Sequence, residues 1–403
     1  MAFVPAISVQ DKQSPQGRLR VLLAACGAHA LHDGFTDTLY VLLPILQTVF
    51  GLNYAEIGIL RALYAGTMAG LQVPSASLSR RFGPVRLLAA GTALAGVGYL
   101  CLGMSNGLTM LSFALVLGGI GSSTQHPIAA GLIATAYEGG RSRDALGTYN
   151  FAGDLGKMAL PAFGAFLIAV SSWRTASAAI GMLGFLGAFA VLLCLRSALP
   201  SNNGQSPAVA KAALVNAGVP SRRRGFGLLL AIGIIDSATR MGFLTFLPFL
   251  LSAKGADVPD IGVALSLLFA GGAVGKLVCG FLGGRLGVLA TVLITEGVTA
   301  AAIVALLPLP LTAAFALLPV AGIALNGTSS VLYGTVPELV PPERREAAFG
   351  IFYTATVGGG ALSPILYGLI GDAIGLPMTT LTIAAVVLTT LPLAWMLNPA
   401  LRA

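Results

Sequence analysis

The sequence is built from apolar stretches, each long enough to cross a bilayer and each ended by a short patch of charge or by Gly, Pro or Asn. Twelve such stretches run over 20–50, 54–78, 84–104, 108–136, 145–170 and 174–195, then over 226–252, 258–283, 287–306, 312–335, 347–371 and 376–397. A helix needs roughly 20 residues to cross the hydrocarbon core, and the longer stretches must tilt or protrude. Only 9% of the 403 residues are charged and 56% are hydrophobic. A soluble domain carries roughly a quarter charged residues, so a water-soluble enzyme is excluded, as are disordered and fibrous chains. Period-two alternation is absent, which argues against a membrane barrel. Helices satisfy their own backbone polar groups in lipid, and the expected fold is an all-α integral membrane protein of twelve transmembrane helices.

The net charge of +8 does not form a nucleic-acid stripe. The bases fall in short clusters between apolar stretches: Arg18 and Arg20, Arg80 with Arg81 and Arg86, Arg141 and Arg143, Arg222 to Arg224, Arg344 and Arg345. With the N-terminus inside, inner loops and tails hold 17 of the 23 Lys and Arg residues, and outer loops hold only Arg174 and Lys254. Both termini are therefore expected on the cytoplasmic side. The first seventeen residues lack the pattern of a cleavable signal, so the first span is expected to stay. Cys26, Cys101, Cys194 and Cys279 lie in apolar stretches without metal-ligand spacing and read as small buried hydrophobes.

The polar stretch between Ser197 and Gly225 divides the chain. The expected units are a cytoplasmic tail over 1–17, a six-helix half over 18–196, a cytoplasmic linker over 197–225 and a second six-helix half over 226–403. The halves repeat. Pro44, Ala55-Glu56-Ile57-Gly58 and Arg81-Phe82-Gly83 have counterparts 204 residues on, at Pro248, Pro259-Asp260-Ile261-Gly262 and Arg285-Leu286-Gly287. At an offset of 203, Gly119-Ile120 matches Gly322-Ile323, Gly147 matches Gly350 and Pro161 matches Pro364. Duplicated halves that face each other are the architecture of alternating-access carriers. Asn53-x-x-Glu56 and Asp257-x-x-Asp260 read as capping boxes at helix starts.

Six plus six spans with a basic loop after the second resemble the major facilitator superfamily. That family's loop pattern, Gly-x-Leu-x-Asp-Arg-x-Gly, is similar to Ala76-Ser77-Leu78-Ser79-Arg80-Arg81-Phe82-Gly83 and to Gly280-Phe281-Leu282-Gly283-Gly284-Arg285-Leu286-Gly287. Leu, Arg and Gly are kept, while the acid is replaced by Arg80 and by Gly284. The fifth span carries Gly156-Lys157-Met158-Ala159-Leu160-Pro161-Ala162-Phe163-Gly164, similar to the antiporter motif Gly-x-x-x-Gly-Pro-x-x-Gly with Leu160 in place of the middle glycine. His29-Ala30-Leu31-His32-Asp33 and Gly121-Ser122-Ser123-Thr124-Gln125-His126-Pro127 resemble the fosmidomycin-resistance branch. The resemblance implies a monomeric drug:proton antiporter of the bacterial inner membrane, with Arg81, Gly83, Arg86, Arg285, Gly287, Gly156 and Pro161 as gating or conformational residues.

Charges at membrane depth are costly and mark function by default. The densest group is in the first span, where His29, His32, Asp33, Thr36, Asp37 and Tyr40 share one helical stripe. Such a stripe must line a cavity or pack on another polar helix. Paired carboxyls and imidazoles can carry protons there, or can make fixed hydrogen bonds between helices. Asp33, Asp37, His29, His32 and Asp154 are the candidates for proton coupling. Thr36, Tyr40, Arg61, Gln125, His126, Asn150, Asp236 and Arg240 join Asp33 and Asp37 as candidates for substrate binding. Asp154 with Lys157 and Asp236 with Arg240 have the spacing of local ion pairs. Arg61 can snorkel or attract an anion, Lys276 is expected to snorkel, His126 can bond backbone freed by Pro127, and Glu296 has no assigned role.

No Walker, Rossmann or Cys/His metal pattern is present, and Gly358-Gly359-Gly360 lies inside an apolar helix rather than after a strand. No cofactor or resident metal is expected. The expected function is proton-coupled efflux of a small polar or charged molecule by alternating access. Proton-linked uptake of an organic anion or metallophore-like solute is the alternative. An intramembrane metal enzyme built on His29-x-x-His32-Asp33 is a remote one.

Overall fold

The structure is a computed structural model that describes residues 14–137, 140–195 and 220–402. Most of the expected N-terminal tail and of the expected linker therefore lies outside the described residues. The described residues fold as helices α1 (Pro15–Phe50), α2 (Tyr54–Phe82), α3 (Pro84–Gly103), α4 (Leu108–Ser122), α5 (Gln125–Ala136), α6 (Gly140–Val170) and α7 (Trp173–Leu195). After the undescribed stretch come α8 (Pro220–Ala253), α9 (Val258–Ala305), α10 (Leu311–Leu339), α11 (Arg345–Ile374), α12 (Leu376–Leu388) and α13 (Thr390–Arg402). Among the described residues, nine helical stretches are long and apolar enough to cross a membrane. α1 and α2 are not among the nine. For α1 the reason is chemical: its buried face holds His29, His32, Asp33 and Asp37, which lower its hydropathy.

Helix boundaries follow local chemistry. The box of Asn53 and Glu56 closes with two 2.8 Å bonds, Glu56 N–H to Asn53 Oδ1 and Asn53 N–H to Glu56 Oε2. The box of Asp257 and Asp260 does the same at 2.9 and 3.2 Å. The stretch 108–136 is not one helix but breaks at Ser123 and Thr124. Pro127 has no N–H to offer the carbonyl four residues back, so the ladder fails at Ser123. The last stretch breaks at Thr389, where Pro392 leaves the Leu388 carbonyl without its partner. α9 runs through two of the expected spans, with a non-helical Gly287 (φ 79°) between them. Its counterpart Gly83 (φ 86°) separates α2 from α3. A left-handed turn that only glycine adopts cheaply thus sits at the same place in both halves.

The halves, α1–α7 and α8–α13, meet along two helix pairs, α2 with α11 and α6 with α9. These are one contact used twice. Gly58 of α2 lies against the backbone of Pro364 and Ile365, and Gly262 of α9 lies against Pro161 and Ala162 of α6. The duplicated Gly and Pro positions therefore face each other across the interface. The halves are also joined at the end of the bundle away from the termini. There the Asp372 carboxylate of α11 accepts the Tyr54 and Ala55 N–H groups of α2 at 2.8 and 2.9 Å. A carboxylate on the open N–H groups of a helix start satisfies both their hydrogen bonding and the helix dipole.

Candidate functional site

α1 occupies the middle of its half because α6 can come close to it. Gly156 lies so near the Ala30 backbone that a Cβ would collide with its carbonyl, and Gly34 opposes Leu160. The bulk that Leu160 brings to the motif is thus matched by a glycine across the contact. This approach carries Lys157 and the His29–Asp33 turn together.

Asp33 is the hub. Its Oδ2 lies 3.2 Å from His29 Nε2 and 3.3 Å from Lys157 Nζ, and its Oδ1 lies 3.7 Å from His126 Nε2. His29 Nδ1 lies 2.8 Å from the Tyr149 carbonyl oxygen, which can only accept, so Nδ1 carries a hydrogen. Nε2 then faces the carboxylate either as a second N–H or as a lone pair, and lone pair against lone pair is repulsive. The pair is favourable when a proton lies between Nε2 and Oδ2. His126 turns toward Asp33 rather than toward the backbone before Pro127.

His32 turns the other way. Thr92 donates its only proton to the Leu88 carbonyl at 2.8 Å, so His32 Nε2 donates to Thr92 Oγ1 at 2.9 Å, and Nδ1 faces Ser122 Oγ at 3.4 Å. It joins α1 to α3 and α4 and lies outside the Asp33 cluster. Thr36 donates to the His32 carbonyl at 3.0 Å. Gln125 donates to the Tyr149 hydroxyl at 2.9 Å, which braces the residue that orients His29. Asn150 stands exposed on α6.

Further along the stripe, Asp37 is buried, and the cations acting on it are Lys157, Arg61 and Arg240. Arg61 does not snorkel: it is 1% exposed, donates to the Tyr40 hydroxyl at 2.9 Å and stacks 4.7 Å from the centre of that ring. Its Nε and Nη1 have no partner. Tyr40 in turn donates to Met241 Sδ of the other half at 3.6 Å.

One expected local ion pair gives way to a longer-range one, and the other gives way to a contact between two acids. Asp154 pairs with Lys276 of α9 at 2.7 Å, not with Lys157, so Lys276 reaches inward to a charge rather than outward to water. Asp236 lies against Glu296 instead of closing on Arg240, and both Asp236 and Arg240 line a cavity of about 210 Å³ in the second half. Arg81, Arg86 and Arg285 are exposed, Arg81 stacking on Phe82 and Arg285 on Phe281.

His29, Asp33 and His126 offer ligand atoms within 4.8 Å of one another, a grouping that could hold a cation. It is not the expected His29–His32 pair, because His32 is committed to Thr92. The ammonium of Lys157 already supplies the positive charge that Asp33 needs. Sequence reasoning missed Tyr149, whose contribution is a backbone carbonyl, and Thr92 and Asp372, whose partners lie far away in the chain.

Duplicated helical halves, spanning helices and a charge network buried between them define a multi-pass membrane carrier of small molecules. The chain belongs to the major facilitator superfamily, whose family model matches residues 25–238 and 228–402. It is a transporter and not an enzyme. It is 24% identical over 371 residues to the fosmidomycin resistance protein of Escherichia coli K12, covering 87% of this chain and 86% of that one. It is also 24% identical over 361 residues to the probable sulfoacetate transporter SauU of Cupriavidus necator, covering 82% of each. Among solved structures, a bacterial homologue of the human lysosomal transporter Spinster, inward-facing and unoccupied, matches with a TM-score of 0.76 at 21% identity, over 96% of this chain and 98% of that one. The occupied form of that homologue matches equally, at 20% identity.

Proposed function

We propose that this carrier exports a small polar or charged molecule in exchange for protons. The observation that carries the reading is the 3.2 Å contact of His29 Nε2 with Asp33 Oδ2 beside Lys157 in the first half, a contact that a proton between the two atoms makes favourable. A substrate anion that draws Lys157 away, or a proton that leaves for the opposite side, changes the charge of the cluster, and that change can be linked to rocking of the halves. Twelve crossings fit this mechanism: α4 with α5 and α12 with α13 each form one broken span, and Gly287 divides α9 into two. The distribution of bases supports cytoplasmic termini; a bacterial inner membrane, a boundary between halves over 197–225 and a monomeric working unit belong to the same reading by analogy with the family.

The test is proton flux in proteoliposomes, with fosmidomycin and sulfoacetate as trial solutes and a pH-sensitive dye inside. Asp33→Asn is expected to abolish solute-induced proton movement while the protein stays monodisperse. Full gradient-driven transport by that variant would overturn the reading.

A second reading, proton-linked uptake of an organic anion, is favoured by Arg61. A buried guanidinium with two unpartnered nitrogens is suited to an anionic group. The name of the second relative, a probable sulfoacetate transporter, points likewise to an organic anion, without a direction. Counterflow with the gradient imposed in either direction separates export from uptake.

A further inference from the structure

The second half contains a buried acid that the Asp33 cluster does not use. Glu296, in the part of α9 beyond Gly287, is 1% exposed, and its Oε1 has no hydrogen-bond partner. Its carboxyl is in hydrogen-bonding contact with that of Asp236 on α8 and lies against Thr328 of α10. Among the described residues, neither acid has a Lys, Arg or His nitrogen within ion-pair distance. Arg240, one turn along α8, acts on both from further off. The other groups facing the pair are Cys279 from the first part of α9 and Tyr333 from α10.

The hydroxyl nearest Glu296, that of Thr328, points its proton elsewhere. Thr328 donates to Thr295 Oγ1 at 2.8 Å, and Thr295 donates to the Thr291 carbonyl at 2.9 Å, so both hydroxyl protons are spent along α9 and α10. A carboxylate only accepts, so two carboxyls in hydrogen-bonding contact need a proton between them. Two buried negative charges at that separation would each lose solvation and repel the other. A bare Oε1 is tolerable on a neutral carboxyl and costly on a charged one.

We propose that Asp236 and Glu296 form a second proton-binding site, in the half opposite Asp33, which shares one proton between two carboxyls and communicates with the cavity through Asp236. Asp236, Ser237, Arg240, Tyr333, Tyr353 and Thr356 line that cavity. A proton from cavity water adds to Asp236 and is held between the two acids, leaving Arg240 facing a pair with one negative charge. When the proton leaves, the pair carries two and holds Arg240 more strongly. Protonation thus makes Arg240 available to an anionic group in the cavity, while the opposite state withdraws it. The presence of the shared proton does not depend on the transport reading; its consequence for anion binding does.

The experiment is infrared difference spectroscopy of the purified full-length protein in nanodiscs at neutral pH, following the C=O stretch of protonated carboxyls. Glu296→Gln keeps the shape of the side chain and lets an amide N–H replace the proton toward Asp236, and Asp236→Asn does the converse. The band is expected in the native protein, lost in both variants and kept in Asp33→Asn. A native protein without the band, or a band unchanged in both Glu296→Gln and Asp236→Asn, overturns the proposal. Unfolding temperature and gel filtration confirm that each variant is folded. Because no solute is added, failure here leaves the Asp33 reading standing, and failure of Asp33→Asn in the flux assay leaves this one standing.

Discussion

Gly58 of α2 rests against the Pro364 backbone of α11, across the boundary between the halves, and Gly262 repeats the contact on Pro161. A Cβ at Gly58 would have to displace main chain, and one at Gly262 the Ala165 methyl. Gly58→Ala is therefore expected to weaken closure at the end away from the termini by about 1–3 kcal/mol, the cost of overpacking a close contact. Thermal unfolding of Gly58→Ala, Gly262→Ala and the double variant checks this, and native-like unfolding of all three would contradict it.

The pair of Asp154 and Lys276 is the charge-to-charge link between the halves, at 2.7 Å with the lysine side chain 40% exposed. That exposure screens the pair, so removing Lys276 with Ala is expected to cost about 1–2 kcal/mol rather than the full loss of a buried ion pair. A double-mutant cycle with Asp154→Asn should give a coupling energy of about 1 kcal/mol, measured by denaturation in detergent. Strictly additive effects would show that the two charges do not work together.

We propose that His32 is a structural link rather than a proton carrier, because its ring nitrogens face Ser122 and Thr92. His32→Ala leaves Thr92 and Ser122 facing a void and is expected to lose about 1–3 kcal/mol of stability. The ratio of protons to solute in proteoliposomes should stay as in the native protein. A changed ratio would move His32 into the coupling machinery.

Asp372 is exposed, so its bond to the start of α2 adds little to overall stability, yet it ties the two halves together at the end away from the termini. Spin labels at Val49 and Ser252, exposed near the ends of α1 and α8, report on that end. Asp372→Ala is expected to shift their distance distribution to longer values. An unchanged distribution would show that the clamp does not hold the end closed.

The sequence by itself determined the helical membrane fold, because lipid-length apolar runs and their breaks are local properties of a chain. It also determined the pseudo-symmetry, since Gly58, Pro161, Gly262 and Pro364 stand at fixed offsets whether or not their contacts are known. It placed His29, Asp33 and Asp37 on one helical face, because a 3.6-residue period needs no tertiary information. Spacing pointed to Asp154 with Lys157 and to Asp236 with Arg240, whereas the folded chain joins Asp154 to Lys276 and Asp236 to Glu296. Only the tertiary structure decided those partners. At membrane depth the cost of an unpaired charge is so large that the partner is whichever group the packing of glycine-lined helices brings closest, however distant it is in the chain. The same packing separated His29 from His32, three residues apart on one helix, by giving one a carboxylate and the other a threonine.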